Sequence, residues 1–504
     1  MLKHSSVMTG MVFLVPMLLT QSALAVTDCA DVEGFVLPDV RIESTERVAE
    51  PASHCKITGV IGPEIRFELL LPDTWNGKFI MGGGGGFVGS VQNAALLYSD
   101  PLQRGYVTVG TDTGHQAHGV DASWALNNLE RLVNFGHVAV HRTAEMSKAI
   151  AHLYYGNPVA QSYFIGCSRG GGQALMEAQR YPQDFDGIIA GAPAYNWSGI
   201  AAQGVQIQQH MYPDPTDGSR PVVSQDNLAL LKREIFAACD GLDGLEDGIL
   251  NDPRDCKFDL QSLAVCVEDE PGAECLTEAQ RRAIQAVYAG AHDAAGNLLM
   301  AGYPYGSEGE SNGWVPWIVG GAVPIAPGVP SLQAGFSNGI FKYFIHQDPD
   351  WQYLTQQFDD YADESRLAAS VLNATATDLS AFKAAGGKLL MWHGWADPAL
   401  TALASAQYYE AVAAGDPEVE DYFRFFLLPG VLHCAGGPGP SLVDYLTPLE
   451  QWVEHGQAPA QLTARFASAD GVPAGARLLC AYPKFAQYKG SGNDRDASNF
   501  TCEE

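Results

Sequence analysis

Gly166-Cys167-Ser168-Arg169-Gly170 restricts the folding of this chain more than any other stretch. The β-rich run Ser162-Tyr163-Phe164-Ile165 leads into it, and the helix-forming run Gln173-Ala174-Leu175-Met176-Glu177-Ala178 leads out. An apolar strand, a glycine-flanked turn and a helix predict a sharp, strained elbow that holds the serine hydroxyl at the top of a sheet. Strand and helix can approach closely only if the residues two positions either side of the serine are small, and Gly166 and Gly170 are. The backbone N–H of Arg169, at the start of the helix, then points to where negative charge would develop on a substrate oxygen. In a chain with 54 glycines the pattern alone has a plain competitor, a glycine-rich turn without chemistry, so it needs partners.

The partners follow in the chain order Ser, Asp, His that α/β-hydrolases use. Lys388-Leu389-Leu390-Met391-Trp392 reads as a buried strand running into His393-Gly394-Trp395-Ala396-Asp397, which sets Asp397 on the loop at a strand end. Phe423 to Leu428 reads as the next strand, and His433 lies on the loop beyond it. In a doubly wound sheet the carboxyl ends of neighbouring strands share one edge, so the three residues converge. Ser168 is then the nucleophile, His433 the general base and Asp397 the group that orients the imidazole. His393 competes with His433, but its place before the acidic residue suits loop support. His115, His118, His137 and His141 follow no strand in the position reserved for the base and read as structural or pocket-lining.

A second oxyanion donor is expected from the glycine loop Gly82 to Gly86, which follows the strand Lys78-Phe79-Ile80-Met81; Gly84 and Gly85 are the candidates. No Gly-Lys-Ser/Thr ending follows, which excludes a phosphate-binding loop.

Lys3 and His4, the apolar run Met11 to Leu19 and the small-residue site Ala23-Leu24-Ala25 form an export leader over residues 1–25, too short for a confident membrane span. Ten cysteines, an even number in an exported chain, suggest a complete disulfide set whose connectivity the sequence leaves open. Cys167 precedes the nucleophile and Cys434 follows the base. If paired, they would tie the elbow to the histidine loop.

Taken together, these motifs resemble the tannase and feruloyl esterase family of α/β-hydrolases, which includes hydrolases of terephthalate monoesters. The resemblance rests on Trp75-Asn76-Gly77-Lys78-Phe79, Thr111-Asp112-Thr113-Gly114-His115, the elbow, Tyr181-Pro182-Gln183-Asp184-Phe185-Asp186-Gly187-Ile188, Gly394-Trp395-Ala396-Asp397 and His433-Cys434. It implies an esterase with Ser168, Asp397 and His433 as its triad and a Cys167–Cys434 bridge beside it. The other expected bridges are Cys29–Cys55, Cys239–Cys256, Cys266–Cys275 and Cys480–Cys502. It also implies an α/β-hydrolase doubly wound sheet with a large inserted lid: core over 26–195 and 386–504, lid over 196–385. Trp197, Tyr212, Tyr303, Tyr305, Trp314, Trp317, Phe336 and Phe341 are the aromatic candidates for its pocket face, although core packing is the commoner fate of any one of them. Within the lid, Cys239-Asp240-Gly241-Leu242-Asp243-Gly244-Leu245-Glu246-Asp247-Gly248-Ile249 offers clustered oxygens of the kind Ca2+ prefers. The resemblance implies carboxylate ligands from Asp240, Asp243 and Asp247 and backbone oxygens from Leu245 and Ile249. A solvated acidic turn is the bland alternative.

A formal net charge of -29 argues against nucleic acid or anionic membrane surfaces as partners, since both select basic patches. The expected partner is a small aromatic ester, met outside the cell or in the periplasm. A catalytically silent binding protein on the same fold is the alternative class, and the complete triad weighs against it. Arg220, Arg233, Arg254, Arg281, Arg282 and Arg366 are the arginines available in the inserted stretch to hold a free carboxylate, and none adjoins the aromatic run Trp314 to Trp317. A terephthalate monoester therefore ranks below feruloyl- and galloyl-type esters.

Overall fold

The computed structural model describes residue 1 and residues 27–214, 217, 220–321, 329–467 and 474–504. The expected leader, beyond residue 1, lies outside the described residues.

Nine strands form one sheet: β1 (Val40–Val48), β2 (His54–Ile61), β3 (Ile65–Pro72), β4 (Lys78–Gly82), β5 (Val107–Thr111), β6 (Gln161–Cys167), β7 (Gly187–Gly191), β8 (Lys388–Gly394) and β9 (Phe423–Leu428). Their order is 1-2-3-5-4-6-7-8-9, antiparallel from β1 through β3 to β5 and parallel from β5 to β9. The parallel strands are largely apolar because helices cover both faces; β5 and β7 are buried at every residue. β1, the edge, instead alternates exposed Arg, Glu and Ser positions, which suits a strand with no outer neighbour.

Helices α1 (Ala139–Tyr155) and α2 (Arg169–Arg180) pack on the sheet, and α2 leaves directly from the end of β6. The close fit at the elbow is steric: a Cβ on Gly166 would come 2.5 Å from the backbone of Gly170, and one on Gly171 would come 2.1 Å from the Gly191 carbonyl oxygen. Ser168 has φ 63° and ψ -122°, a strained conformation that turns its side chain out of the sheet.

The stretch between β7 and β8 divides in two. Leu228, Leu231, Ile235, Ile284, Val287 and Trp314 belong to an apolar core of its own. Helix α3 (Trp197–Met211) spans the join: Trp197, Ala201 and Val205 pack in the main core, while Ile207 and Met211 pack in the second. Ile340, Phe341, Phe344 and Phe382 return to the main core, so the later part of the insertion is welded to the sheet domain. All ten cysteines are paired: Cys29–Cys55, Cys167–Cys434, Cys239–Cys256, Cys266–Cys275 and Cys480–Cys502. No helix among the described residues is long and apolar enough to cross a membrane.

Candidate active site

Ser168, Asp397 and His433 lie beyond the carboxyl ends of β6, β8 and β9, at one edge of the sheet. The Ser168 carbonyl accepts from Gly172 N at 3.0 Å and Ala194 N at 2.9 Å, and Ser168 N donates to Gly191 O at 3.0 Å, which pins the strained elbow from three sides. The Cys167–Cys434 bridge, with Cα atoms 5.9 Å apart, joins the neighbours of Ser168 and His433.

Asp397 is buried, and all its bonds serve orientation. Oδ1 accepts from Ala399 N at 2.8 Å and Leu400 N at 3.0 Å; Oδ2 accepts from His433 Nδ1 at 2.7 Å and His393 Nε2 at 3.1 Å. Burial pushes this carboxyl up, but charge and hydrogen bonds from His433 and His393 outweigh it and hold the group well below the ordinary carboxylate range. Because His433 Nδ1 is occupied by Asp397, Nε2 is the ring nitrogen left for the serine. His393 supports this arrangement: Nε2 faces two acceptors, Asp397 Oδ2 and Leu400 O, so it carries the proton, and Nδ1 accepts from Ser405 Oγ at 2.8 Å. The insertion holds the same loop, with Tyr303 Oη donating to Ala399 O and Thr401 Oγ1 to Gly302 O.

The structure separates the glycine candidates for the oxyanion. Gly84 N donates to Gln173 Oε1 at 3.1 Å in the buried interior, so its N–H is already committed. Gly85 N donates at 2.7 Å to Oε1 of Gln92, a half-exposed side chain at the cavity wall. The Arg169 side chain turns away from solvent: Nη2 donates to Phe135 O and Gly136 O, and the guanidinium lies 4.3 Å from the Phe135 ring centroid and 5.3 Å from that of Trp197. Burial pushes that guanidinium down to about 9.

Ser168 and His433 open into a cavity of ≈ 600 Å³ whose walls include Trp197, Ile200, Trp317, Phe336 and Ile340, with Leu96, Leu97 and Tyr98 at one side. Trp317 meets the His433 ring edge-on at 5.1 Å and stacks along Phe336 at 6.4 Å. Gln333 and Ser337 also line the wall, although the Ser337 hydroxyl is fully buried and turned onto Gly204 of α3. Among the described residues lining the cavity there is no lysine, and the one arginine is Arg169. Of the eight aromatic candidates, Trp197, Trp317 and Phe336 reach it. Tyr212, Tyr303, Trp314 and Phe341 are buried in the cores, and Tyr305 packs against Phe258 and Tyr288. Leu96, Leu97 and Tyr98, on a one-turn helix, carry no motif that marks them from sequence.

The acidic loop follows α4 (Gln225–Cys239) and rests on the C-terminal segment: Arg477 pairs with Asp247, and Gln487 Nε2 donates to Asp243 O at 3.0 Å. Its side chains also close the loop on itself, Asp240 accepting from Gly248 N, Asp243 from Leu245 N and Asp247 from Ile249 N. Burial, reinforced by Asp247 and Asp240, pushes the Asp243 carboxyl up to about 6. The donor set is of the kind a hard cation prefers, all oxygen and with more negative charge than Arg477 offsets, but the carboxylates of Asp240, Asp243 and Asp247 do not gather within 4.8 Å of one another.

A serine nucleophile on a strand-to-helix elbow, an imidazole behind it and a buried carboxylate behind that define a serine hydrolase of the α/β-hydrolase class. The family model for tannase and feruloyl esterase matches residues 49–503, so the chain belongs to that family and is an esterase. A mono(2-hydroxyethyl) terephthalate hydrolase of Piscinibacter sakaiensis is 33% identical, covering 91% of this chain and 86% of the relative. Feruloyl esterase B of Aspergillus niger is 30% identical, covering 89% and 86%. The crystal structure of feruloyl esterase B from Aspergillus oryzae superposes with a TM-score of 0.84 at 25% identity, covering 94% of this chain and 100% of that one.

Proposed function

We propose that this esterase hydrolyses esters of uncharged aromatic acids, feruloyl or galloyl in type, through an acyl-enzyme on Ser168. The observation that carries the reading is the cavity itself: a space with Ser168 and His433 at its base, walled by Trp197, Trp317 and Phe336 and with no free cation among its described lining residues. A planar acyl group stacked there is held with its carbonyl against the serine. Ser168 Oγ attacks the carbonyl carbon while His433 Nε2 takes its proton, and Asp397 stabilises the imidazolium that forms. The N–H groups of Arg169 and Gly85 receive the developing oxyanion, Gln92 giving way at Gly85. The imidazolium protonates the departing alkoxide; water, deprotonated by His433, then releases the acid.

The relative named for a terephthalate monoester suggests a second reading, an anionic acyl group. The absence of any lysine, and of any arginine but Arg169, from the described cavity wall weighs against it, since a buried carboxylate needs a charged partner. Calcium in the acidic loop, held by Asp240, Asp243 and Asp247 with Leu245 and Ile249 carbonyls, belongs to the same proposal. So does export to the periplasm or medium, which five disulfides and the leader favour. Purified enzyme assayed on methyl ferulate, methyl gallate, a terephthalate monoester and a butyryl ester tests the substrate reading. A higher kcat/KM for the two phenolic methyl esters is expected. Preference for the butyryl ester would make the chain a general carboxylesterase.

A further inference from the structure

On the far side of α2 from the triad, three metal-ligating side chains meet without any part in ester hydrolysis. His141 comes from α1, Glu177 from α2, and Asp184 from the turn between α2 and β7. One ligand atom of each lies within 4.8 Å of the other two. His141 Nδ1 is 2.6 Å from Asp184 Oδ2. Glu177 is 1% exposed and directed at the other two, and its carboxyl oxygens meet no neighbouring N–H or hydroxyl donor, only the Asp184 carboxyl, with which it could share a proton. A buried carboxyl that no such donor meets is costly, and apolar packing there would have been simpler.

The surroundings are those of a ligand histidine. His141 Nε2 is 3.3 Å from Glu145 Oε2, so the ring nitrogen turned away from the cluster faces a carboxylate, the outer partner that metal-bound imidazoles use. The ring also stacks on Tyr181, with centroids 3.9 Å apart and planes 6° apart, and the Tyr181 hydroxyl bonds His137 Nδ1 at 2.7 Å. Lys148 is the nearest cation; its Nζ donates to the Asp184 carbonyl at 2.6 Å. One lysine stands against Glu145, Glu177 and Asp184, so the ionised cluster holds surplus negative charge.

We propose that His141, Glu177 and Asp184 form a binding site for a borderline divalent transition cation, zinc by the chemistry of the set, with water as the fourth ligand on the half-exposed His141 side. One imidazole with two carboxylates suits zinc, whereas the all-oxygen acidic loop suits calcium. Zinc would replace the proton shared by His141 and Asp184 and any proton on Glu177, and would staple α1, α2 and the turn before β7 together.

The test uses the purified mature enzyme, stripped with a zinc-selective chelator, held in excess calcium to occupy the acidic loop, and titrated with zinc against a chromophoric competitor. Saturable uptake of about one zinc per chain with a rise in melting temperature is expected. His141→Ala and Glu177→Gln should each abolish it, and Glu145→Gln should weaken it by about 10- to 100-fold. Should one of these variants fail to fold, the titration of the unmodified chain and the remaining variants still decide. No saturable zinc in the unmodified chain would overturn the proposal and leave a carboxyl pair sharing a proton, as would uptake undiminished in both His141→Ala and Glu177→Gln.

Discussion

At the residue scale, Asp397 ties catalysis to stability. Burial alone would raise its carboxyl, yet the imidazoles of His433 and His393 hold it below the ordinary range, beside the N–H groups of Ala399 and Leu400. A carboxyl depressed in the folded state stabilises the protein above its unfolded value, about 3.9, and that contribution is lost as pH falls towards the folded value. Melting temperatures recorded from pH 5 to pH 2 should therefore fall, and Asp397→Asn should flatten the part of the slope that belongs to this group. The same variant should lower kcat by about 10^4-fold, because asparagine permits the wrong imidazole tautomer. Ser168→Ala should remove ester hydrolysis while leaving the melting temperature in place, since the elbow is held by backbone bonds and glycine contacts; substantial remaining turnover would rule out Ser168 as nucleophile. The placement of Ser168, Asp397 and His433 at one sheet edge was legible from sequence because each follows a buried strand. The difference between Gly84 and Gly85 was not, because it lies in Gln173 and Gln92, side chains that only the fold brings to the glycine loop.

At the scale of elements, the parallel strands were readable because burial on both faces leaves an apolar signature, as in Leu389-Leu390-Met391-Trp392. The pocket face of the insertion was not. Trp314 and Trp317 are three apart, a spacing that puts two side chains on one face of an α-helix, yet Trp314 is buried and Trp317 lines the cavity. The wider i→i+5 turn over Val315–Val319 changes the angular step between them. The Cys167–Cys434 bridge closes a separation of 267 residues, worth about 5–6 kcal/mol in the chain-entropy model. Replacing both cysteines by serine should lower the melting temperature and also cut kcat/KM by about 100-fold, through misplacement of His433 against Ser168. A variant that melts earlier but turns over normally would show that packing alone positions the pair. The acidic loop joins α4 to the C-terminal segment through Arg477 and Gln487, so stripping calcium should lower the melting temperature by at least about 2 °C, with recovery on adding calcium back. An unchanged curve with no calcium by elemental analysis would leave the loop a solvated acidic turn.

At the scale of the whole molecule, charge and shape act on the same substrate choice. The chain carries a formal net charge of -29, and the insertion closes over Ser168 with apolar walls and amides. An anionic ester approaching this surface meets a repulsive field and then a cavity in which the one arginine among the described lining residues, Arg169, is turned inward onto Phe135 O and Gly136 O. A neutral methyl ester meets neither obstacle. Salt separates the long-range part of this effect from the local part, because screening at about 8 Å in physiological salt weakens the field but does not put a cation into the pocket. For a terephthalate monoester, kcat/KM should rise as sodium chloride increases from low to physiological concentration, yet stay at least about tenfold below that of methyl ferulate, whose value should change little. If the anionic ester is instead the better substrate at low salt, a positive side chain reaches the acyl group during turnover, and the cavity selects for charge.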